Sequence, residues 1–214
     1  MALYEEARRQ IRDRILSGQF PPGSFLSEES LSRELGMSRT PIRQALTDLV
    51  NSGLVERIQG RGCIVRKIDL SEMLEIMELG YWLVEWGVRR ITERPDLDLS
   101  PIEASLREER EQLKKGDMHA TLVACRHMDL RILELAGNRQ MLRIMSQISD
   151  LLIYEASYAI KRPDVLAQII REHQAILDAI AARNPELAVE RVREHFQAAR
   201  RRLLALGDGT EKTA

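Results

Sequence analysis

The pattern of apolar residues changes character near residue 70, and that change restricts what the chain can become. Before it, short stretches of helical spacing give way to two extended runs. After it, helical spacing continues to about residue 206 with no alternating pattern to compete. A chain written this way is mainly α, with a small mixed domain over 1–69, an all-helical domain over 70–206 and a flexible tail over 207–214.

In the first part, Ala7, Ile11, Ile15 and Leu16 give a helix its apolar face, which Gly18 and Pro21-Pro22-Gly23 stop. A short helix is predicted after Ser27, with Leu31 and Leu35 on one side, and Gly36 offers the turn. A third helix turns Ile42, Ala45, Leu46, Leu49 and Val50 inward and ends near Asn51-Ser52-Gly53. Leu54–Ile58 and Cys63–Val65 then read as two extended runs around the turn Gln59-Gly60-Arg61-Gly62. Helix, helix, turn, helix, hairpin is the order of a winged helix-turn-helix. In the second part, helices are predicted over 71–92, 100–115, a stretch ending at 136, 141–160, 165–182 and 185–206. Ser100-Pro101 and Asn184-Pro185 serve as cap-and-proline starts. Six helices with short connections make an antiparallel bundle.

Charge follows the same division. Residues 1–67 hold 11 Lys and Arg against 8 Asp and Glu, whereas residues 68–214 hold 21 against 25, so the overall charge of -1 hides a basic first third. Two cysteines, Cys63 and Cys125, are too few for a disulfide framework. No run of 18 apolar residues occurs and the N-terminus is unlike a signal peptide, which points to the cytoplasm.

A helix that reads DNA needs one face that packs and another that reaches bases and phosphates. The third helix keeps Arg39, Thr40, Arg43, Gln44 and Thr47 off its packing face, with Ser38 at its start. Arginine pairs with guanine, glutamine with adenine, and Ser38 or Thr40 can hold a phosphate where backbone N–H groups are unpaired. Arg61, flanked by Gly60 and Gly62, suits a minor groove or backbone contact. The competing reading is a solvated polar face used for protein contacts.

Polar residues interrupt the apolar stripes of the helical domain. Cys125 and Asp129 stand four residues apart among Leu122, Ile132 and Ala136. His173 lies among Leu166, Ile169, Ile176 and Ile180, and His195 among Ala188, Val192, Ala199 and Leu203. A buried carboxylate needs a partner. A divalent metal would satisfy several such groups at once, as would an Asp–His hydrogen-bond network or an arginine beside Asp129. His119 and His127 read as surface residues.

The stretches Ile15–Gly23, Leu31–Leu46 and Gly53–Arg57, continued through Gly60-Arg61-Gly62, resemble the winged helix of the GntR family of bacterial regulators. The resemblance implies DNA contact by Arg39, Thr40, Arg43 and the wing tip. At Glu29 family members commonly carry an arginine that touches DNA, so the target sequence differs. Leu135-Ala136-Gly137-Asn138, Glu172–Ile180 and Glu194-His195-Phe196 resemble the ligand-sensing domain of the FadR-like branch of that family. That resemblance implies a metal set of Cys125, Asp129, His173 and His195, with Cys125 and Asp129 where relatives carry Asp and His. Its softer donors favour zinc. It also implies an effector pocket in which Met77 replaces an arginine and Tyr81 an acidic residue. Trp82 joins them and Tyr154 and Tyr158 add hydroxyls, although an ordinary core is the plainer account of this group. The expected partners are operator DNA, a second copy of the chain and an organic acid or a more apolar metabolite. A metalloenzyme with an attached DNA-binding domain and a non-catalytic interaction scaffold are the rival readings. No nucleophile-and-base arrangement, phosphate loop or metallohydrolase motif accompanies the metal set.

Overall fold

The spacing of Ala7, Ile11 and Ile15 places one apolar stripe on helix α1 (Leu3–Leu16), and all three side chains are buried with Leu16. The computed structural model describes residues 3–59, 61–94, 96–160 and 162–210, with the side chains at 155, 158, 159 and 206–210 excluded. Two units form, Met1–Asp69 and Leu70–Ala214.

In the first unit a short strand β1 (Phe25–Leu26) precedes α2 (Glu28–Leu35). The Ser27 side chain accepts the Ser30 N–H at 3.0 Å and so starts α2. Gly36, at φ +63°, ends it in the left-handed conformation that glycine adopts without strain. Helix α3 (Arg39–Asn51) buries Ile42, Ala45, Leu46 and Leu49 and packs on α1 and α2. Strands β2 (Val55–Ile58) and β3 (Gly62–Val65) pair antiparallel, with Val55 opposite Val65 and Ile58 opposite Gly62. The edge strand β1 pairs with the other side of β3, giving the order β1-β3-β2. Cys63 and Val65 alternate inward from β3, as a half-buried strand requires. This is the expected winged helix-turn-helix, with one added strand too short to leave a pattern in the sequence.

The second unit is a six-helix bundle of α4 (Leu70–Thr92), α5 (Ser100–Lys114), α6 (Met118–Ala136), α7 (Arg139–Ala159), α8 (Pro163–Ala181) and α9 (Pro185–Thr210). Its centre is apolar, with Val88, Ile91, Ile102, Ile132, Met145 and Ile180 fully or almost fully buried. A β-carbon on Gly87 would stand 2.8 Å from Ile132 Cγ2, so glycine is what lets α4 lie this close to α6. The α6–α7 corner is set by Gly137 at φ +82° and by the Asn138 side chain, which accepts the N–H groups of Gln140 and Met141. Asn184 likewise accepts the Leu187 N–H at 3.0 Å and starts α9. At α5 the cap position falls to Leu99, one residue before Ser100, whose hydroxyl donates to Asp98. Helix α9 continues to Thr210, past the point where apolar spacing ends, and the last four residues of the predicted tail lie outside the described residues. Among the described residues no helix is long and apolar enough to cross a membrane.

Candidate functional site

The exposed face of α3 carries Arg39, Thr40, Arg43, Gln44 and Thr47, and Ser38 before it is exposed as well. Ser38 has the extended backbone of an N-cap, but its hydroxyl makes no cap hydrogen bond among the described residues. The arginines are not bare. Arg43 donates from Nε and Nη2 to the Glu28 carboxylate at 2.8–3.1 Å. Arg39 lies 3.5 Å from Glu29, which Arg33 also reaches at 3.3 Å, so Glu29 meets arginine rather than standing as an isolated negative charge. The Thr47 hydroxyl donates to the Arg43 carbonyl at 2.9 Å and accepts from Arg57 Nη2 at 3.0 Å, which brings a cation from β2 onto α3. Arg57 was hidden in the sequence because only pairing of β2 beside α3 carries it there. Arg61 is exposed at the β2–β3 turn, whereas Gly60 lies outside the described residues.

In the helical unit, Glu109 of α5, Cys125 of α6 and His173 of α8 form a buried cluster whose ligand atoms all lie within 4.8 Å of one another. His173 Nδ1 stands 2.9 and 3.0 Å from the two Glu109 oxygens. Burial opposes the charged imidazole, but the charge and hydrogen bond of Glu109 prevail and hold His173 above the ordinary histidine range. Burial pushes the Cys125 thiol well up, and Glu109 adds to it. The His195 ring is 4.8 Å from that of His173, and its Nδ1 is 2.8 Å from Glu172, which Arg202 also holds at 2.7 Å. For His195 burial wins, and its imidazole is shifted down. Burial works against the Glu172 carboxylate, yet His195 and Arg202 keep it below the ordinary range. Asp129 is buried and paired with Arg126 one turn away.

Of the four residues expected around a metal, Cys125 and His173 thus share one cluster. Asp129 turns to an arginine, and His195 adjoins His173 with its own carboxylate. Glu109 was not anticipated, although it continues the buried α5 stripe of Ile102, Ser105 and Leu106. His119 and His127 are half-buried, the latter 3.5 Å from Glu108.

A cavity of about 50 Å³ lies beside this cluster, walled by Met77, Leu122, Leu152 and Phe196 and edged by Arg126, His173, His195 and Arg202. A wider groove of about 640 Å³ runs between α4 and α9, with Met77, Tyr81, Trp82, Arg193 and Phe196 along it. Met77 borders both. The Tyr81 hydroxyl donates to Glu85, while its ring packs 5.7 Å from Phe196 edge-on and 4.9 Å from Trp82. Tyr154 is buried away from this groove, and the Tyr158 side chain lies outside the described residues.

A winged helix-turn-helix with arginines on the exposed face of its third helix, followed by a helical bundle holding an apolar-walled pocket with charged edges, defines a DNA-binding regulator with a sensing domain. Comparison with known proteins agrees. Residues 3–65 match the bacterial regulatory proteins of the gntR family, and residues 69–198 match the FCD domain. The chain belongs to the gntR-family transcriptional regulators that carry an FCD domain; it is a regulator and not an enzyme. It is 24% identical over 195 residues to the HTH-type transcriptional regulator YdhC of Bacillus subtilis, itself uncharacterized, covering 90% of this chain and 87% of that one. It is 23% identical over 192 residues to LutR of the same organism, covering 79% and 87%. The crystal structure of a GntR-type protein from Rhodococcus sp. RHA1 has the same fold, with a TM-score of 0.84 at 23% identity over 94% of this chain and 97% of that one. Escherichia coli McbR/YncC shares it with a TM-score of 0.78 at 22% identity over 96% and 99%.

The FCD match corrects the assignment of the second domain to the FadR-like branch: the effector domain is of FCD type, not FadR type. The stretches behind that resemblance encode helix punctuation. Leu135-Ala136-Gly137-Asn138 is a left-handed C-cap followed by an N-cap, and Glu172–Ile180 is largely an amphipathic helix face. Such features specify where helices stop and which side they bury, and many helical sensing domains need them.

Proposed function

We propose that the protein is a ligand-responsive repressor that binds an inverted-repeat operator as a homodimer, each α3 reading one half-site in the major groove. The observation that carries this reading is the clean division of α3, with Ile42, Ala45, Leu46 and Leu49 buried and Arg39, Thr40, Arg43 and Gln44 exposed. Two-fold protein symmetry matches two-fold DNA symmetry. In this reading Ser38 and Thr40 hold phosphate at the helix start, Arg43 and Gln44 meet base edges, and Arg61 with Gly60 reaches the backbone or minor groove. Thr47 acts mainly as the anchor for Arg57. A cytoplasmic site of action follows from the DNA target.

The helical unit senses. A divalent ion, zinc by donor softness, would be held around Glu109, Cys125 and His173 with His195 beside them, and Asp129 stands close behind Arg126. His195 meets Glu172 through Nδ1, the arrangement that directs Nε2 toward a metal, whereas the Nδ1 partner of His173 is Glu109, itself one of the residues that would hold the ion. When bound, the ion supplies a fixed positive charge that helps orient an effector's polar end. The apolar walls around Met77, Tyr81 and Trp82 favour an effector with a substantial hydrophobic part, organic acid or otherwise. Binding that prefers one arrangement of the dimer would shift the spacing of its two reading heads.

The test is fluorescence anisotropy of the full chain on a duplex selected from a random pool. Arg43→Ala should weaken binding to the selected duplex by ~10-fold or more and relax its base preference. Equal binding by wild type and variant would remove Arg43 from the reading set. Elemental analysis after purification and zinc reconstitution should find close to one ion per chain and lose it in the His173→Ala, Cys125→Ala double variant; retention in the variant would sink the metal assignment.

A further inference from the structure

We infer that Glu28 is a positioning residue that determines specificity: it clamps one edge of the Arg43 guanidinium and leaves the other edge aimed for a single base. The inference rests on α3 reading DNA, as proposed above. A guanidinium has a side edge, Nε with one Nη, and an end edge formed by its two Nη groups. Glu28 takes the side edge, accepting Nε at 2.9 and 3.1 Å and Nη2 at 2.8 Å. The end edge retains its parallel donors, the geometry that fits guanine O6 and N7. Arg43 remains mostly exposed while Glu28 is largely covered, with 64% and 26% of the side chains accessible, so the anchor is the fixed partner and the arginine is presented.

The neighbours make the contrast. Arg39 has one longer contact of 3.5 Å with Glu29, and both side chains are more than 60% exposed, leaving it mobile enough for a phosphate. Arg43 is also tied through its backbone, whose carbonyl accepts from Thr47, which Arg57 braces in turn. Arg43 holds the Glu28 carboxylate below its ordinary range, and Arg57 and Arg39 act in the same sense, which favours its charged form. Such a clamp has two opposed effects. A fixed carboxylate beside the phosphates weakens binding to any duplex, while an ordered fork binds poorly to every base but the one it fits. Glu28 therefore trades general affinity for discrimination.

The experiment compares the full wild-type chain with Glu28→Gln, Arg43→Lys and the double variant on the selected duplex and on a shuffled one. Glu34→Gln serves as control, being on the same helix but paired with Arg14. Glu28→Gln should bind the shuffled duplex more tightly, and its selected-to-shuffled affinity ratio should fall by ~10-fold or more. Arg43→Lys, which cannot form the fork, should lose the same ratio, and the double variant should lose no more. Repeating the selection with Glu28→Gln should return a degenerate position where wild type returns a single base. If Glu28→Gln does not fold, Glu28→Asp keeps the charge, withdraws it by one methylene and should show the same loss. An unchanged ratio in the folded variant, or equal tightening on both duplexes, overturns the role of Glu28 alone. Failure of wild type to select any sequence overturns the reading assignment and this inference with it.

Discussion

Glu109 is a carboxylate with no accessible surface, paired with His173 at 2.9 Å. Removing one partner of such a pair leaves the other buried without compensation. Glu109→Ala should accordingly cost about 3 kcal/mol in chemical denaturation, whereas Glu108→Ala, exposed on the same helix, should stay within about 0.5 kcal/mol. Equal effects would mean that the contact between Glu109 and His173 does not stabilise the fold. At this scale the sequence was least explicit. The stripe positions of Cys125, Asp129, His173 and His195 announced buried polar groups, because apolar periodicity shows where a helix faces inward. Their partners come from other helices or other turns: Glu109 from α5, Glu172 for His195, Arg126 for Asp129. Helical spacing carries no information about which side chain waits across the interface.

Elements were far more legible, since their starts, stops and faces are written locally. Serine and glycine marked the ends of α2, where the structure uses Ser27 and Gly36, and Asn184 marked the start of α9, which it caps. The two serines that precede helices in the first unit have different duties. Ser27 caps α2 through its side chain, so Ser27→Ala should lose about 1 kcal/mol of stability. Ser38 makes no such bond among the described residues; Ser38→Ala should leave stability within about 0.5 kcal/mol and show its effect in DNA affinity. Thermal and chemical unfolding beside anisotropy would separate the two, and a stability loss in Ser38→Ala equal to that of Ser27→Ala would refute the distinction. In the bundle, Gly87→Ala should cost about 1–3 kcal/mol despite alanine's better helix propensity, because its β-carbon meets Ile132. In a double-mutant cycle the cost of Gly87→Ala should be smaller in an Ile132→Ala background, although Ile132→Ala is itself destabilising. Strand β1 escaped the sequence reading because two residues cannot establish an alternation, and it is recognisable only by its pairing with Ile64 and Cys63.

Across the whole molecule, the separation of duties follows the separation of charge. The basic first third forms the unit with α3, and the acidic remainder forms the bundle with its buried polar groups. That asymmetry gives an overall charge near zero to a protein whose family binds DNA. Local placement of arginines governs the contact, and net charge conceals it. The family assignment was legible through the winged domain, where turn residues, helix faces and polar positions recur in one order. The sensing domain was legible as a helical bundle but not as an FCD domain, since its punctuation does not carry the subtype. Whether the exposed face of α3 reads DNA is decided by the salt dependence of binding to the selected duplex, measured by anisotropy for wild type, Arg39→Ala and Arg43→Ala. Arg39→Ala should lower the slope of log affinity against log salt by about one while keeping base preference, and Arg43→Ala should relax base preference. Unchanged slopes and unchanged preference in both variants would contradict DNA reading by α3.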